Sequence, residues 1–218
     1  MSTSDSLQLY SYFRSSAAFR VRIALHAKGL AFDTLPIALL ENKQGSAEYL
    51  ALNPQGLVPA LYAEGTVIPQ SLAIIEYLEE RYPQPPLLPQ APVARALVRS
   101  MALGVACDIH PLNNLRVLNY LREHIRLDQE DIAHWSQHWI ATGFAALEIQ
   151  ARLHSPARRY CYGDALSIAD VCLVPQMFNA RRLKCDLTAY PTLTRICAHL
   201  ETLPAFVHAA PENQPDAK

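Results

Sequence analysis

Two adjacent hydroxyl side chains, Ser15 and Ser16, lie where a strand pattern gives way to a helix pattern. Residues 7–13 have the composition of a strand, and residues 16–28 repeat apolar side chains at helical spacing. A helix N-terminus carries exposed N–H groups and partial positive charge, so this corner suits an anion, and a thiolate in particular because its pKa is lowered there. Serine is also a common N-cap, and the residues alone leave both roles open.

A second polar group follows an Asn-Pro-Gln-Gly-Leu segment that leads to Val58 and Pro59. A cis bond before Pro59 could turn the Val58 backbone outward, so that an extended ligand pairs with it as an added strand. Gln70 and Ser71 then begin another helix, where an amide, a hydroxyl and exposed N–H groups together would clamp an α-amino acid head group. A trans proline and an ordinary cap are the plain alternatives.

Chemistries that depend on short motifs are not supported. The seven glycines lie far apart, which excludes a dinucleotide fingerprint and a phosphate loop. The five cysteines form no Cys-x-x-Cys pair, which argues against a disulfide framework and a thiolate zinc site. His134 and His138 are the only histidines at i, i+4 spacing, and two ligands do not complete a metal site. We therefore predict no metal.

Charge and hydropathy exclude two further classes of partner. Lys and Arg number 19 against 20 for Asp and Glu, and the net charge of −1 offers no basic field to hold a nucleic acid. The longest apolar stretch, residues 101–107, is far shorter than the ~18 to 20 residues of a membrane span. The first six residues have neither the basic nor the apolar region of an export signal, so we expect a cytoplasmic protein.

The elements that must position these side chains fall into two groups around a proline-rich stretch. Half of residues 83–92 are proline, which no helix or central strand tolerates. Residues 7–83 before it follow the order β-α-β-α-β-β-α, which predicts a small mixed sheet covered by helices. We therefore predict an α/β domain over 7–83, a linker over 84–92 and an all-helical domain over 93–210.

The second domain shows helical periodicity throughout. Four helices are predicted, over residues 93–123 with a kink at Pro111, 129–154, 168–183 and 191–203. Ser167 and Asp170 have the spacing of a capping box, in which each side chain satisfies a backbone N–H of the first turn. The polar tail from Pro211 is expected to fray.

Together these features resemble the glutathione S-transferases over nearly the whole chain. Two segments look like the zeta class of that family: residues 10–25, which begin Tyr-Ser-Tyr-Phe-Arg-Ser-Ser, and residues 173–183, with the sequence Leu-Val-Pro-Gln-Met-Phe-Asn-Ala-Arg-Arg-Leu. The class usually has Ser-Ser-Cys-x-Trp, whereas this chain has Ala17 and Phe19 in place of the cysteine and the tryptophan. Ser15 matches the hydroxyl with which the family stabilises a thiolate.

The resemblance implies a thioredoxin-like N-terminal domain, an all-α C-terminal domain, glutathione as cofactor and a homodimer. The implied activity is a cis–trans isomerisation of maleylacetoacetate to fumarylacetoacetate in tyrosine and phenylalanine breakdown. A thiolate adds reversibly to the cis double bond, which allows rotation before the thiolate leaves. Maleylpyruvate as substrate, a broader transferase or dehalogenase, and a non-enzymatic binding protein are the alternatives.

Carried over by the resemblance, the cofactor's γ-glutamyl end falls on Gln70 and Ser71, and its cysteinyl backbone on Val58 beside a cis Pro59. Its sulfur would lie near Ser15 and Ser16, and Gln44 would reach its glycine end. His110 and Asn114 belong to a segment that lines the active site in bacterial zeta-class isomerases, and both are taken as cofactor-binding.

The substrate would need cationic side chains. Its two carboxylates, and the negative charge that develops on a carbonyl oxygen, suit the bidentate fork of arginine. The candidate catalytic residues are Ser15, Arg14, Arg116, Arg182 and His110. Each arginine could instead be an ordinary surface residue, and His110 beside a helix kink could be a core or capping histidine.

Overall fold

The computed structural model describes residues 6–217, and residue contacts divide this part of the chain into two units. The first unit holds residues 6–87 and 203–217, and the second holds Leu88–Thr202. The strands and helices of residues 6–87 are β1 (Leu7–Ser11), α1 (Ser16–Ala27), β2 (Phe32–Pro36), α2 (Ala47–Leu52), β3 (Ala60–Ala63), β4 (Thr66–Pro69) and α3 (Ser71–Arg81). This is the predicted β-α-β-α-β-β-α order.

The four strands form one mixed sheet in the order β2-β1-β3-β4. β1 and β2 run parallel, as strands joined by a helical crossover do, whereas β3 and β4 are antiparallel neighbours joined by a tight turn. Glu64 and Gly65 form that turn with positive φ angles. α1 ends before Gly29, whose φ of 66° suits the residue after a helix.

A buried ion pair fastens the start of the proline-rich stretch to the first unit. The Nζ of Lys28, at the end of α1, donates to Glu79 Oε2 at 2.8 Å and to the backbone carbonyls of Tyr82 and Pro85 at 2.8 and 3.0 Å. The same carboxylate oxygen accepts from the Leu87 N–H at 2.9 Å. The Lys28 side chain is wholly buried, so each of its three donors has a partner away from water.

The second unit is helical. Its α-helices are α4 (Pro92–Leu103), α5 (Leu115–Tyr120), α6 (Gln129–His154), α7 (Ile168–Arg182) and α8 (Pro191–Leu200). The predicted capping box is present at the start of α7, where Asp170 accepts from the N–H and hydroxyl of Ser167 at 2.8 Å. α7 is buried over most of its length.

The predicted single helix over residues 93–123 is wrong in detail. α4 ends at Leu103 and continues as a π-helical stretch, Gly104–Ile109, and a 3₁₀ stretch, His110–Asn113, before α5 begins. Pro111 has no N–H to donate and its ring crowds the preceding turn, so the regular α ladder cannot run through it. The chain is interrupted here rather than merely bent.

The C-terminal residues depart further from the prediction. The helix expected over 191–203 ends at Leu200, and a separate helix, α9 (Pro204–Ala209), begins at a proline in its first turn. α9 packs against α1 in the first unit, although the sequence placed residues up to 210 in the helical domain. The tail beyond Pro211 is hydrogen-bonded rather than frayed, since the Asn213 and Gln214 amides donate to backbone carbonyls of α9.

Within residues 6–217, no helix has the length and apolar character required to cross a membrane. The same residues contain no group of three or more His, Cys, Asp or Glu side chains placed to hold a metal ion.

Candidate functional site

Ser15 caps α1 and keeps a donor available. Its Oγ accepts from the Ala18 N–H at 3.2 Å, and its own N–H donates to the Tyr12 carbonyl at 3.0 Å, which closes the turn after β1. A serine hydroxyl has two acceptor lone pairs and one donor hydrogen. The cap uses the oxygen as acceptor, so the O–H hydrogen can donate to a thiolate. The two roles that the sequence left open are therefore compatible at one residue.

The neighbours of Ser15 differ in exposure. Ser16 is buried in the first turn of α1, whereas Arg14 is exposed. The Arg14 guanidinium lies over the Phe13 ring, 5.2 Å from its centroid, and Nη2 is 3.4 Å from the Tyr12 hydroxyl. Arg14 thus points its charge along the same turn, within reach of solvent and of small anions.

In the loop before β3, side-chain hydrogen bonds hold the backbone next to Val58. The Val58–Pro59 bond is cis, as predicted, and both residues are buried. The Leu57 carbonyl accepts from the Tyr49 hydroxyl at 2.7 Å and from the Asn53 amide at 2.8 Å. Two side chains from one short stretch therefore fix the backbone immediately before Val58.

The start of α3 is open and polar. Gln70 has φ 71° and ψ 119°, is exposed, and does not cap the helix with its side chain, so the first N–H groups of α3 have no cap from that residue. Its amide donates to Gln55 Oε1 at 2.7 Å, which ties the helix start to the loop before Val58. Ser71 is buried, and its Oγ accepts from Arg20 Nη1 at 3.3 Å.

The Ser71 contact orients its hydroxyl. Because Arg20 occupies one lone pair of Oγ, the hydroxyl hydrogen is left to donate away from the guanidinium. Arg20 is 1% exposed, and a buried cation bonded to this hydroxyl favours an anion as the hydroxyl's other partner. Sequence reasoning did not single out Arg20. The signal was present as a charge inside the apolar stretch of α1, where a buried cation needs a partner.

Gln44 lies in a 3₁₀ stretch, Lys43–Gly45, close to the same loop. Its Nε2 donates to Asn42 Oδ1 at 3.0 Å, while its Oε1 is buried without a hydrogen-bond partner among the described residues. Its backbone carbonyl lies 3.3 Å from the position that a Cβ would take at Gly56. The two loops are thus packed together, and one buried acceptor is left over.

Sheet register explains why these groups share one edge of the first unit. Tyr10 pairs with Ala60, and Ala60 pairs with Pro69, so the end of β1, the start of β3 and the end of β4 are adjacent. The Ser15 turn, the Val58–Pro59 loop and the Gln70–Ser71 helix start follow or precede those ends directly. The structure therefore brings these predicted cofactor residues to one edge.

The second unit holds the other candidates. His110 begins the 3₁₀ stretch and is half-buried, while Asn114 caps α5 by accepting from the Arg116 N–H at 3.1 Å. The Arg116 side chain is exposed. Arg182 is exposed in the last turn of α7, and its Nη2 donates to Asn179 Oδ1 at 2.8 Å. Asn179 thus steadies one branch of the Arg182 guanidinium.

Comparison with known proteins places this arrangement in a family. Residues 9–86 match the family of glutathione S-transferase N-terminal domains. A probable maleylacetoacetate isomerase of Vibrio cholerae is 50% identical over 214 residues, which cover 97% of this chain and 99% of that protein. The holo structure of a maleylpyruvate isomerase, described as a bacterial zeta-class glutathione S-transferase, superposes with a TM-score of 0.95 at 44% identity, covering 97% of this chain and all of that one.

The chain belongs to the zeta class of the glutathione S-transferases.

A further zeta-class comparison concerns ligands. A maleylacetoacetate isomerase from Methylobacterium extorquens AM1, solved with bound malonate and glutathione, superposes with a TM-score of 0.93 at 42% identity, covering 97% of this chain and 99% of that one. That relative therefore accommodates glutathione and a dicarboxylate. The predicted fold, a thioredoxin-like domain joined to a helical domain, is confirmed by the family match and by these structures.

Proposed function

We propose that this zeta-class glutathione transferase is a maleylacetoacetate isomerase that uses glutathione to convert maleylacetoacetate to fumarylacetoacetate. The observation that carries the proposal is the shared sheet edge, where the Ser15 hydroxyl, the Val58 backbone and the open start of α3 are adjacent. The near full-length identity to relatives of that name supports the substrate.

The residues at this edge fit glutathione. Its γ-glutamyl head carries a carboxylate, which suits the first N–H groups of α3, which Gln70 does not cap, the exposed Gln70 amide and the hydroxyl hydrogen that Ser71 keeps as a donor. Its peptide backbone suits the main chain of Val58. The buried Oε1 of Gln44, which has no partner in the described chain, is an acceptor for an N–H at the far end. The γ-glutamyl carboxylate, the peptide backbone and an N–H of the tripeptide thus each have a matching group.

When bound, glutathione supplies a thiol whose ionised form is the nucleophile toward the cis double bond. Ser15 donates its hydroxyl hydrogen toward that sulfur, and the N-terminus of α1, next to Ser16, adds partial positive charge. Both effects favour the thiolate over the thiol and so lower its pKa. No protein thiol is required at this corner, which agrees with Ala17 standing where the class usually has cysteine.

The two carboxylates of the substrate require cationic side chains. We assign to Arg182, Arg116 and Arg14 the binding of the two carboxylates, since an arginine fork matches a carboxylate with two parallel hydrogen bonds. Arg182 is the strongest of the three, because Asn179 already restricts its guanidinium. His110 and Asn114 complete the proposed set, with His110 also assigned a catalytic role near the carbonyl oxygen on which negative charge develops.

Biological setting and assembly belong to the same proposal. A maleylacetoacetate isomerase acts in tyrosine and phenylalanine breakdown, and we place this chain in the cytoplasm as a homodimer. Sedimentation at micromolar concentration tests the dimer, and a monomer there would contradict it.

The activity is tested by following each cis acid by absorbance in the presence of glutathione. We expect maleylacetoacetate to be isomerised with a higher kcat/KM than maleylpyruvate. The reverse order would favour maleylpyruvate, the substrate named for the superposed structure with the TM-score of 0.95. No isomerisation of either acid would refute the proposal.

Ser15→Ala tests the thiolate role, with a control that matches its structural cost. Ser46 caps α2 in the same way, accepting from the Tyr49 N–H at 3.2 Å, so Ser46→Ala removes an equivalent cap away from the sulfur. We expect Ser15→Ala to raise the thiol pKa of bound glutathione toward the free value of about 8.5, and Ser46→Ala to leave that pKa unchanged. Identical thiolate titrations in both variants would reduce Ser15 to a cap.

A further inference from the structure

A long-range hydrogen bond joins the C-terminal segment to the turn that carries Ser15. Asp216 Oδ2 accepts from the Phe13 N–H at 2.9 Å, across 203 residues of sequence. Phe13 lies between β1 and α1, two residues before the serine whose hydroxyl faces the proposed sulfur position. This turn has no strand or helix ladder of its own to fix its backbone N–H groups.

The carbonyl side of the same turn is held by a buried arginine of α1. Arg22 Nη2 donates to the Phe13 carbonyl at 2.9 Å, and Nη1 lies 3.1 Å from Ser11 Oγ and 3.4 Å from the Tyr12 carbonyl. Its Nε donates to the Ala209 carbonyl, at the end of α9, at 2.9 Å. One fully buried guanidinium therefore binds the turn and the C-terminal segment together.

The charges on these two residues are complementary. Burial lowers the pKa of Arg22 to about 10, and the nearby Asp216 carboxylate acts in the opposite direction. Arg22 thus stays protonated at neutral pH, and the carboxylate partly compensates the buried cation. Asp216 itself is delivered by an ordered tail, since Gln214 Nε2 donates to the carbonyls of His208 and Ala210, both at 2.9 Å.

We propose that the C-terminal segment, residues 203–217, positions the Ser15 turn for catalysis, with Asp216 and Arg22 as positioning residues. The inference rests on the proposed function, because it concerns the hydroxyl that faces the thiolate. Neither residue touches the cofactor in this scheme. Asp216 holds the N–H of Phe13, Arg22 holds its carbonyl, and the Ser15 N–H is bonded to the preceding Tyr12 carbonyl. A shift of Phe13 is thereby transmitted to Ser15.

The test compares Asp216→Ala with Asp216→Asn and with Glu212→Ala. Asparagine keeps a side-chain oxygen that can accept from Phe13, whereas alanine does not. Glu212 is an exposed carboxylate on the same segment and serves as the matched control. The readouts are the pKa of bound glutathione from its thiolate absorbance, the kcat and KM for maleylacetoacetate, and the melting temperature.

We expect Asp216→Ala to raise the bound thiol pKa and to lower kcat about tenfold, with KM changed less than about twofold, since small misplacements of a catalytic group are costly. Asp216→Asn should recover most of the loss, and Glu212→Ala should match the parent. A lower melting temperature in Asp216→Ala with unchanged thiol pKa and kcat would overturn the inference, as would an asparagine variant no better than alanine. A parent protein that fails to lower the thiol pKa would instead refute the proposed function itself, and the inference with it.

Discussion

Replacing Lys28 with methionine should destabilise the protein strongly, because the change removes a cation from a site closed to water. Glu79 would lose its ion pair with Lys28 while the Leu87 N–H still donates to it, and the carbonyls of Tyr82 and Pro85 would lose the Lys28 donor. Breaking one side of a buried pair costs about 3 to 5 kcal/mol, because the other charge stays buried and uncompensated. For a chain of this size, about 2 to 4 °C per kcal/mol predicts a melting temperature about 6 to 20 °C lower.

The measurement is a thermal melt followed by circular dichroism, made on Lys28→Met, Glu79→Leu and the double variant. The double variant should be less destabilised than the sum of the two single changes, because it leaves no unpaired charge. Arg81 and Glu64 form the matched control, an ion pair of the same 2.8 Å length whose side chains are 55% and 59% exposed. Arg81→Ala should barely move the melting temperature. Equal effects of Lys28→Met and Arg81→Ala, or strict additivity in the double variant, would refute the reasoning.

Three further outcomes are expected. Ser71→Ala should weaken glutathione binding by about 1 to 3 kcal/mol in calorimetry, as for a lost hydrogen bond to a charged group; unchanged affinity would contradict the head-group assignment. Arg182→Ala should lower kcat/KM for the cis dicarboxylate by about 1.5 to 3 kcal/mol of apparent binding and Arg182→Lys by less, while conjugation of an uncharged haloarene should stay unaffected; equal losses on both substrates would point to a structural role. Burial, and to a smaller extent His208 and Arg22, lower the pKa of His26 below its ordinary 6.5. As the pH falls, the unfolded chain therefore binds the proton before the folded chain does. The free energy of unfolding is thus unaffected by His26 well above about pH 6.5 and decreases as the pH drops below that value. Urea unfolding between about pH 5 and 8 should show this slope, and His208→Gln should reduce it.

Local sequence pattern was sufficient wherever an element is defined by its own residues. The predicted bounds of α6 agree with the structure, and α3 begins at Ser71 as expected. The first strand was predicted too long, because the apolar pattern of residues 7–13 continues past Ser11, where the ladder ends. Periodicity reports which side chains are apolar and not where a partner strand stops.

Tertiary partners were beyond that kind of reasoning. The break after Leu103 depends on how residues 104–109 pack on α6. There the Ile109 side chain lies so close to Gly143 that a Cβ at position 143 would not fit. The polar composition of the tail suggested solvent, yet Asp216 binds a backbone N–H more than 200 residues away. A single sequence contains no local sign of such a pairing, because no motif around Phe13 or around Asp216 indicates its distant partner.

The proposed cofactor residues were accessible from sequence because they occupy helix starts and a proline loop, which have recognisable local patterns. The residues that hold these groups in place could not be recognised from local patterns. Arg20 under Ser71, and Tyr49 and Asn53 on the Leu57 carbonyl, act through contacts that depend on how separate elements pack.

The return of residues 203–217 to the first unit has a consequence for biosynthesis. A ribosome that has completed residues 6–87 must still translate the 115 residues of Leu88–Thr202 before that unit can be finished. At about 5 to 20 residues per second, this delay is roughly 6 to 23 seconds. Throughout it, the face of α1 that will receive α9 is uncovered, and Arg22 lacks its Ala209 carbonyl. The nascent N-terminal domain therefore acquires its complete Ser15 turn only after the helical domain has been synthesised.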